Sequence, residues 1–428
     1  MTSPARSATS ATSDTALTAA GSVTAATSDT AVTSETASGA PPRGLSPVVA
    51  WLLSVACGLA VANVYYSQPL LDLIGRDFGI APATIGLVGT LTQTGYALGL
   101  LLLVPLGDHV NRRTLITAQL GLSVLALLAV ALAPSAPLLL AAMAAVGVLA
   151  VVAQVVVAYS AQLAAPGDQG RVVGTVTSGI VVGILLARTV AGTIGDLAGW
   201  RAVYVASAVA TAAMALAVAA AVPSERHRTA ERIGYPRLVG SVFVLFAQER
   251  VLRVRAVLAL LSFTSITVLL TPMVLPLAAP PFDLSHTEIG LLGLAGAAGA
   301  LGAGYAGRQA DRGRAERTAG TGLSAMLVGW LPAALLPRSV WWLVLAMVVI
   351  DYGLQSVHVA NQHLLYQVRP EAQSRLTAGY MLLYSAGCGA GAILSTVAYD
   401  HGGWTAVCLL GAATSLTALG YWWAAARR

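Results

Sequence analysis

The sequence predicts an all-α membrane protein, with twelve transmembrane helices arranged as two parallel six-helix repeats. Three observations support this: few charged residues, a regular series of long apolar runs, and a repeat of one half of the chain in the other. Of the 428 residues, 57% are hydrophobic and 10% are charged, and the mean hydropathy is +0.76. A soluble domain carries about 25% charged residues, so much of this surface must face lipid.

The apolar runs are long enough to cross a bilayer, which takes about 20 apolar residues per helix. The eighth run is rich in glycine and alanine and only moderately apolar, as expected of a helix that packs closely against other helices. The twelve predicted spans are residues 48–70, 84–105, 114–133, 137–161, 172–194, 201–222, 256–278, 286–306, 318–336, 340–363, 374–397 and 404–424.

The segments between and around these spans predict the domain organisation. Residues 1–44 are rich in Ala, Thr and Ser and lack an apolar run, so we expect a disordered cytoplasmic tail rather than a signal peptide. Residues 45–222 form the N-terminal six-helix half, and residues 256–428 form the C-terminal one. The charged connection at 223–255 is predicted to be cytoplasmic, with an amphipathic part at 237–249 in the membrane interface.

The distribution of arginine predicts the orientation in the membrane. All 24 basic residues are Arg. With the N-terminus inside the cell, Arg76, Arg201 and Arg338 lie outside, Arg188 lies within the fifth helix, and all the others lie on the cytoplasmic side. The positive-inside rule favours this orientation. We therefore expect a multi-pass protein of the cell inner membrane, with both termini in the cytoplasm.

The two halves share a sequence pattern at a constant separation. The motif D-x-x-G-W at 196–200 recurs 204 residues later, at 400–404. The segment I-G-L-V-G at 85–89 recurs as I-G-L-L-G at 289–293, with the same separation. Because each half holds six spans, both halves have the same orientation. Such a parallel repeat is typical of transporters whose binding site lies between the halves near the bilayer midplane.

Two loops carry similar charged motifs at equivalent positions of the halves. The motif residues are Asp108, Arg112, Arg113, Gly307, Asp311, Arg312 and Arg314. Both loops resemble the signature G-x-x-x-D-R-x-G-R-R of the major facilitator superfamily, although Val104, His109 and Asn111 depart from it in the first copy. A carboxylate at a helix end and arginines on the next loop can latch the cytoplasmic side of each half. The alternative is ordinary positive-inside charge.

The fifth span resembles the antiporter signature of the same superfamily, G-x8-G-x3-G-P-x2-G-G. The matching or approximating positions are Gly174, Gly183, Ala191 and Gly192. Small residues there let helices approach closely. Ala187 and Arg188 stand where the signature has Gly-Pro, which weakens the inference of antiport.

Residues from about 48 to 424 resemble the superfamily as a whole, and most closely its twelve-helix bacterial drug and sugar efflux permeases, also in the segment N-V-Y-Y-S-Q-P-L-L that closes the first helix. The resemblance implies a secondary transporter that exports a small drug-like or sugar-like molecule by alternating access, in exchange for protons. Two alternatives are a proton-coupled uptake symporter of a small nutrient, and a membrane-embedded sensor or enzyme without transport.

Two charged residues are predicted to lie at bilayer depth, Arg188 and Asp351, and such residues usually face a cavity. On the tenth span, Asp351, Gln355, His358 and Gln362 fall within about 60° of one another at the helical period. We predict that this polar stripe lines the cavity and that Asp351 binds the coupling proton, with His358 as a weaker partner. The alternatives are a permanent Asp351–Arg188 ion pair that joins helices, and an Arg188 that snorkels to the interface.

Other polar side chains within the spans are predicted either to contact the cargo or to bond a neighbouring helix. They are Gln154, Gln93, Asn63, Tyr66, Gln362 and Tyr384.

No catalytic or nucleotide-binding signature is present in the sequence. A Walker-type G-x-x-x-x-G-K-[ST] requires lysine, which is absent, and no G-x-S-x-G or H-E-x-x-H occurs. Cys57, Cys388 and Cys408 lie within apolar runs without metal-ligand spacing. We expect no enzyme activity, metal, cofactor or nucleic-acid partner. The expected protein is a monomer whose partners are the cargo, protons and the lipid bilayer.

Overall fold

The computed structural model of the chain is α-helical and describes residues 46–107, 110–164, 168–222, 235–368 and 373–426. The helices of the first half are α1 (Pro47–Tyr65), α2 (Leu71–Phe78), α3 (Pro82–Ile85), α4 (Leu87–Leu106), α5 (Arg112–Ala131), α6 (Ala136–Ala150), α7 (Val152–Leu163), α8 (Gln169–Ala198) and α9 (Trp200–Ala221). Helix α10 (Tyr235–Gln248) follows in the predicted connection. The second half contains α11 (Arg250–Leu270), α12 (Val274–Leu277), α13 (His286–Leu292), α14 (Ala297–Asp311), α15 (Ala315–Ala333), α16 (Val340–Tyr366) and α17 (Gln373–Ala426).

The number of membrane spans agrees with the sequence prediction. Within the described residues, ten helical segments are long and apolar enough to cross a membrane. One of these, Arg375–Ala425, contains two spans, because the backbone leaves the helical region at Gly402 and at Gly403, whose φ is 58°. The eighth predicted span, formed by α13 and α14, is not among the ten, as its low apolar content leads one to expect. The predicted twelve-helix fold is thus confirmed.

Prolines and capping residues explain several helix boundaries. Helix α11 ends at Leu270, just before Pro272, because proline has no N–H to continue the hydrogen-bond ladder. Asn111 begins α5 by accepting hydrogen bonds from the backbone N–H groups of Arg113 and Thr114. Ser285 and Glu288 form a capping box that fixes the start of α13. This start matters for function, because it places His286 at the boundary between the halves.

The two halves repeat the same helix pairings. Helix α1 packs on α8 and α4 packs on α6 in the first half, while α11 packs on α17 and α14 on α16 in the second. Two glycines separated by the sequence repeat distance serve equivalent pairings. A Cβ at Gly183 would lie 2.3 Å from the carbonyl oxygen of Gly58 in α1, and one at Gly387 would lie 2.3 Å from that of Leu260 in α11. Neither position accepts a larger residue without moving a helix.

Candidate functional site

A central cavity of about 260 Å³ lies between the two halves. Its walls come from α1, α4 and α8 of the first half and from α11, α16 and α17 of the second. Five residues predicted from sequence line it: Gln93, Arg188, Asp351, Gln355 and Tyr384. The structure therefore brings the two predicted intramembrane charges, one from each half, to the same cavity.

Arg188 is the buried positive charge of this cavity, with 6% of its surface exposed. Its Nε donates a hydrogen bond to Oε1 of Gln68 at 2.8 Å, and its guanidinium lies 5.7 Å from the centre of the Tyr65 ring. The aliphatic part of the side chain packs on Gly293 of the second half, where a Cβ would lie 3.0 Å from Cδ of Arg188. The hydrogen-bond partner at Nε is a neutral side chain of the same half.

Asp351 is the negative charge of the cavity and lies near the middle of α16. Its Oδ2 faces Gly296, where a Cβ would lie 3.6 Å away, so the absence of a side chain at Gly296 leaves room beside the carboxylate. Asp351 also interacts electrostatically with Arg188. This arrangement suits both predicted roles of Asp351, that of a proton acceptor and that of an ion partner, and both remain predictions.

Aromatic rings form one wall of the cavity and join the two halves. Oη of Tyr65 in α1 and Oη of Tyr384 in α17 are 3.1 Å apart and share a hydrogen bond. The ring of Phe263 lies 4.0 Å, centre to centre, from that of Tyr384. His358 stands behind this wall: its Nδ1 is 2.9 Å from Oη of Tyr380, and its ring packs edge-on against Phe263. His358 is not among the residues that line the cavity.

Gln93 lines the cavity, but its amide oxygen is enclosed by protein. The residue is buried, and its Oε1 has no hydrogen-bond partner within the described part of the chain. A buried amide oxygen without a partner costs free energy. The contact of Gln93 with the cargo stays a prediction.

The remaining predicted cargo contacts lie away from the cavity lining. Asn63 accepts a hydrogen bond from Ser207 of α9 at 2.5 Å, and Tyr66 is buried beside it within the first half. Gln154 donates to Oη of Tyr96 at 3.3 Å. Gln362 is partly buried farther along α16. These four residues satisfy or face neighbouring helices, and their contact with cargo stays a prediction.

Three residues that sequence reasoning missed contribute directly to the cavity: Tyr65, Gln68 and Phe263. The first two are three positions apart, so they share a helix face, and that face is not the one that carries Asn63 and Tyr66. The polar residues of the segment N-V-Y-Y-S-Q-P-L-L could have indicated that this segment contributes to the cavity. The rotation of this helix about its own axis was not evident from the sequence.

The predicted gating motif makes contacts within each half. Arg112 donates to the carbonyl oxygens of Gly107 at 3.1 Å and of Ala158 at 3.3 Å, and Arg113 donates to that of Ala219. These bonds tie the start of α5 to the ends of α4, α7 and α9. Asp108 lies outside the described residues.

In the second copy of the gating motif, Gly307 lies within α14 and Asp311 is its last residue. Arg312 follows α14, and Arg314 precedes α15 with its Nη1 3.5 Å from Oε1 of Gln309. The latch itself stays a prediction.

The helix-5 packing positions differ in how tightly they are enclosed. A Cβ at Gly192 would lie 2.0 Å from the carbonyl oxygen of His286, so α8 and α13 touch through their backbones. Ala191 is fully buried, and Gly183 contacts Gly58. Gly174 has no neighbour within 4 Å of its Cβ position. The small residues therefore serve close packing in the middle and outer parts of α8.

Within the described residues, a group of hydrogen bonds joins the halves at one end of the bundle. Oγ1 of Thr90 donates to the carbonyl of Gly389 at 2.7 Å, and Oγ1 of Thr396 to that of Ala83 at 3.1 Å, which joins the second and eleventh spans. Oγ1 of Thr189 donates to the carbonyl of Gly290 at 3.1 Å. We call this end, at which α8 ends and α13 begins, the closed end. By the predicted orientation it faces outside.

The fold agrees with what comparison to known proteins finds. The family model described as Major Facilitator Superfamily matches residues 51–279 and 256–428. The chain belongs to the Major Facilitator Superfamily. Its relatives include the Escherichia coli O157:H7 protein named uncharacterized transporter YgaY, which is 45% identical over 383 residues, or 90% of this chain and 97% of that protein.

Solved structures of Major Facilitator Superfamily type match the fold at low sequence identity. A bacterial homolog of the human lysosomal transporter Spinster, in an inward-facing and occupied conformation, has a TM-score of 0.73 at 15% identity and covers 90% of this chain and 98% of that chain. The nucleoside transporter NupG has a TM-score of 0.70 at 12% identity and covers 88% and 99%. The protein is therefore a multi-pass membrane transporter of this superfamily.

Proposed function

We propose that the protein exports a small amphiphilic molecule through the central cavity in exchange for protons. The observation that carries this proposal is the pair of opposite charges, Arg188 from the first half and Asp351 from the second, that line one cavity. Alternating access moves the halves relative to each other, and such a motion changes the distance between these charges. A carboxylate in this position changes its affinity for protons as the transporter changes state.

The proposal of exchange requires that cargo and proton compete for the cavity. When Asp351 is ionised, its attraction to Arg188 offsets part of the cost of a charge at bilayer depth. When Asp351 is protonated, Arg188 loses that attraction, and the carboxyl group becomes a neutral donor. A cargo that interacts with either group favours one protonation state, so cargo binding and proton binding are linked. The close packing of α8 through Gly183 and Gly192 adds support for the antiporter motif.

The lining of the cavity supports a cargo that is partly apolar. Phe263, Tyr65 and Tyr384 offer ring surfaces, while Gln68, Gln93 and Gln355 add polar side chains to the lining. Ring faces and a few directed polar groups suit a flat or amphiphilic organic molecule. We further propose that the protein resides in the inner membrane with both termini in the cytoplasm, on the basis of its arginine distribution.

Efflux of dyes from cells tests the proposal. Bacteria that lack their own exporters would express the protein and be loaded with cationic, neutral and anionic amphiphilic dyes or with a thiogalactoside sugar analogue. We expect faster efflux of at least one probe, and loss of that efflux when a protonophore collapses the gradient. Gradient-driven accumulation instead of efflux would favour the uptake symporter.

The variant Asp351→Asn then tests the role of the carboxylate. We expect it to abolish the response of flux to an imposed pH gradient in proteoliposomes. Asp283→Asn is the matched control, because Asp283 is an exposed loop carboxylate with φ of 46°, a conformation that asparagine also adopts. Gradient-driven flux that survives in Asp351→Asn would show that the carboxylate is structural.

A further inference from the structure

A histidine bridges two carboxylates across the closed end. His286 is the first residue of α13, in the second half, while Asp72 in α2 and Asp196 near the end of α8 belong to the first half. Nδ1 of His286 is 2.7 Å from Oδ1 of Asp196, and Nε2 is 2.9 Å from Oδ1 of Asp72. The imidazole ring therefore lies between two acidic groups that move with the opposite half.

The eighth span is long enough to place this cluster at the membrane surface. Its helical segments run from His286 to Asp311, and at 1.5 Å per residue they exceed the roughly 30 Å hydrocarbon core. His286 is the first residue of the predicted eighth span, and Asp72 and Asp196 lie beyond the predicted first and fifth spans (48–70 and 172–194), so the cluster lies at the membrane surface. The side chain of Asp196 is 25% exposed, so water reaches the cluster.

With both carboxylates ionised, both contacts are hydrogen bonds only if the imidazole carries two protons. A neutral histidine donates from one ring nitrogen and accepts at the other, whereas an ionised carboxylate can only accept. Asp196 is committed to accepting, because its Oδ2 receives the backbone N–H and the hydroxyl of Thr287, each at 2.7 Å. The backbone N–H of His286 also donates to its Oδ1, at 3.1 Å. Geometry alone thus favours imidazolium.

The charges around the ring agree with this assignment. The hydrogen bond to Asp72 raises the pKa of His286 and, with the attraction of both carboxylates, outweighs the opposing effect of burial. Burial raises the pKa of Asp196, but the hydrogen bonds from Thr287 and His286 together hold it below its usual value. Arg76 lies beside the cluster, with its Nη2 3.4 Å from Oδ2 of Asp72. On α13 itself, Glu288 caps the helix through Ser285.

We propose that His286, Asp72 and Asp196 form a proton-binding site that fastens the closed end and is separate from the carboxylate in the cavity. Opening this end withdraws His286 from both carboxylates, and its proton then leaves to the adjoining solvent. The site does not suit a metal ion, because the two ring nitrogens point to opposite sides and no single ion contacts both. In the described part of the chain, no group of three potential ligands is arranged to hold a metal.

The sign of the pH effect follows from the raised affinity for the proton. The closed form gains stability that is fully present below the ordinary histidine value of about 6.5 and is lost as pH rises through the raised value. In strong acid, protonation of the carboxylates removes the effect again. Acid on the outer side therefore favours the conformation in which the closed end is shut.

Distances between spin labels in nanodiscs test this inference. Cysteine labels at the exposed positions Thr84 and Arg338 report the separation of the halves at the closed end. We expect the short-distance population to grow as pH falls from about 8.5 to about 6, by on the order of tenfold, as for an opposite charge near a titrating group. In His286→Gln we expect this dependence to disappear, because glutamine does not titrate.

Control variants distinguish the pH response of this site from that of other titratable groups. His401→Gln removes an exposed histidine at the same end, and its spin-label distances should depend on pH as those of the parent protein do. Should His286→Gln fold poorly, Asp72→Asn retains the ring and should move the midpoint to lower pH. The dependence should persist in Asp351→Asn, since it does not require proton-coupled transport. A parent protein without a pH response, or a His286→Gln variant that responds like the parent, would overturn the inference.

Discussion

Arg188 and Arg255 are both buried arginines, yet their surroundings differ in one decisive respect. Arg255 in α11 is 7% exposed and pairs with Glu316 of α15, with Oδ1 of Asn361 3.5 Å away. Glu316 is also held by Nε1 of Trp422 at 3.1 Å. All of these residues belong to the second half, so the pair moves as part of one rigid unit.

Arg188 has its compensating charge on the opposite half. Its hydrogen-bond acceptor is the neutral Gln68 of its own half, while Asp351 acts on it from across the cavity. A buried charge paired within one half stabilises that half in every state of the cycle. A buried charge whose counter-charge lies on the other half changes its interaction as the halves move. The comparison thus separates a structural arginine from a functional one.

The largest expected effect on stability is that of Glu316→Gln. This change leaves Arg255 buried without its counter-ion, while the Glu316 side chain is 47% exposed, so we expect the free energy of unfolding to fall by about 1.5 kcal/mol. Thermal unfolding in detergent measures it, with Arg338→Gln, at an exposed arginine, as the control. An unchanged Tm would show that Arg255, like Arg188, does not stabilise the fold through a counter-ion within its own half.

Arg188→Gln should show the reverse pattern. Loss of a charge-assisted interaction of about 1.5–3 kcal/mol should slow transport by roughly 10–100-fold. The Tm should fall less than in Glu316→Gln, because no charged partner within the same half is left buried. Dye efflux and thermal unfolding of the same preparations measure both quantities. Arg188→Lys keeps the charge without the guanidinium geometry and should recover part of the rate.

Gln68→Glu sharpens the comparison by giving Arg188 a counter-ion within its own half. The new carboxylate stands at the position of an acceptor now 2.8 Å from Nε, so it should form an ion pair like that of Arg255. We expect roughly tenfold slower transport with normal or raised Tm, because Arg188 then responds less to Asp351. Gln68→Met, which adds no charge, is the control. Equal rates in the two variants would contradict this reasoning.

The smallest expected effect is that of Tyr384→Phe. Loss of its hydrogen bond to Tyr65, worth about 1 kcal/mol, should shift the equilibrium between closed and open forms by roughly fivefold. The spin-label distances described above measure the shift. Adding Tyr65→Phe should cause little further change if the two hydroxyls act only on each other, whereas Tyr421→Phe should leave the distances unaltered.

The predictions from sequence succeeded where the signal is local or repeated. Apolar length and the shared pattern of the two halves predicted the spans, and the mediocre hydropathy of the eighth span has its counterpart in the short helices α13 and α14. Arg188 and Asp351 were predicted as cavity residues because a charge at bilayer depth is costly unless it faces polar surroundings. Both residues line the cavity, while their roles in transport stay predictions.

The features that the sequence did not predict share a physical cause. A helix that is apolar on all sides gives no periodicity from which to read its rotation, so the sequence did not show that Tyr65 and Gln68 line the cavity. The tenth-span stripe has the predicted phase, but only part of it reaches the cavity, because the rings of the eleventh span cover His358. Whether a residue on this face of the helix reaches the cavity therefore depends on which side chains of neighbouring helices cover it.

Helix α10 is attached to both halves at once. Oη of Tyr235 donates to the carbonyl oxygen of Leu102 in α4, while Phe246 packs on Gly379 in α17. When the halves rotate relative to each other, α10 must slide, tilt or lose its contacts with one half. The free energy that this change costs contributes to the barrier between conformations. A fluorophore attached at the exposed position Phe243 would then change its emission with each transport cycle. A protein that binds α10 tightly would slow that cycle.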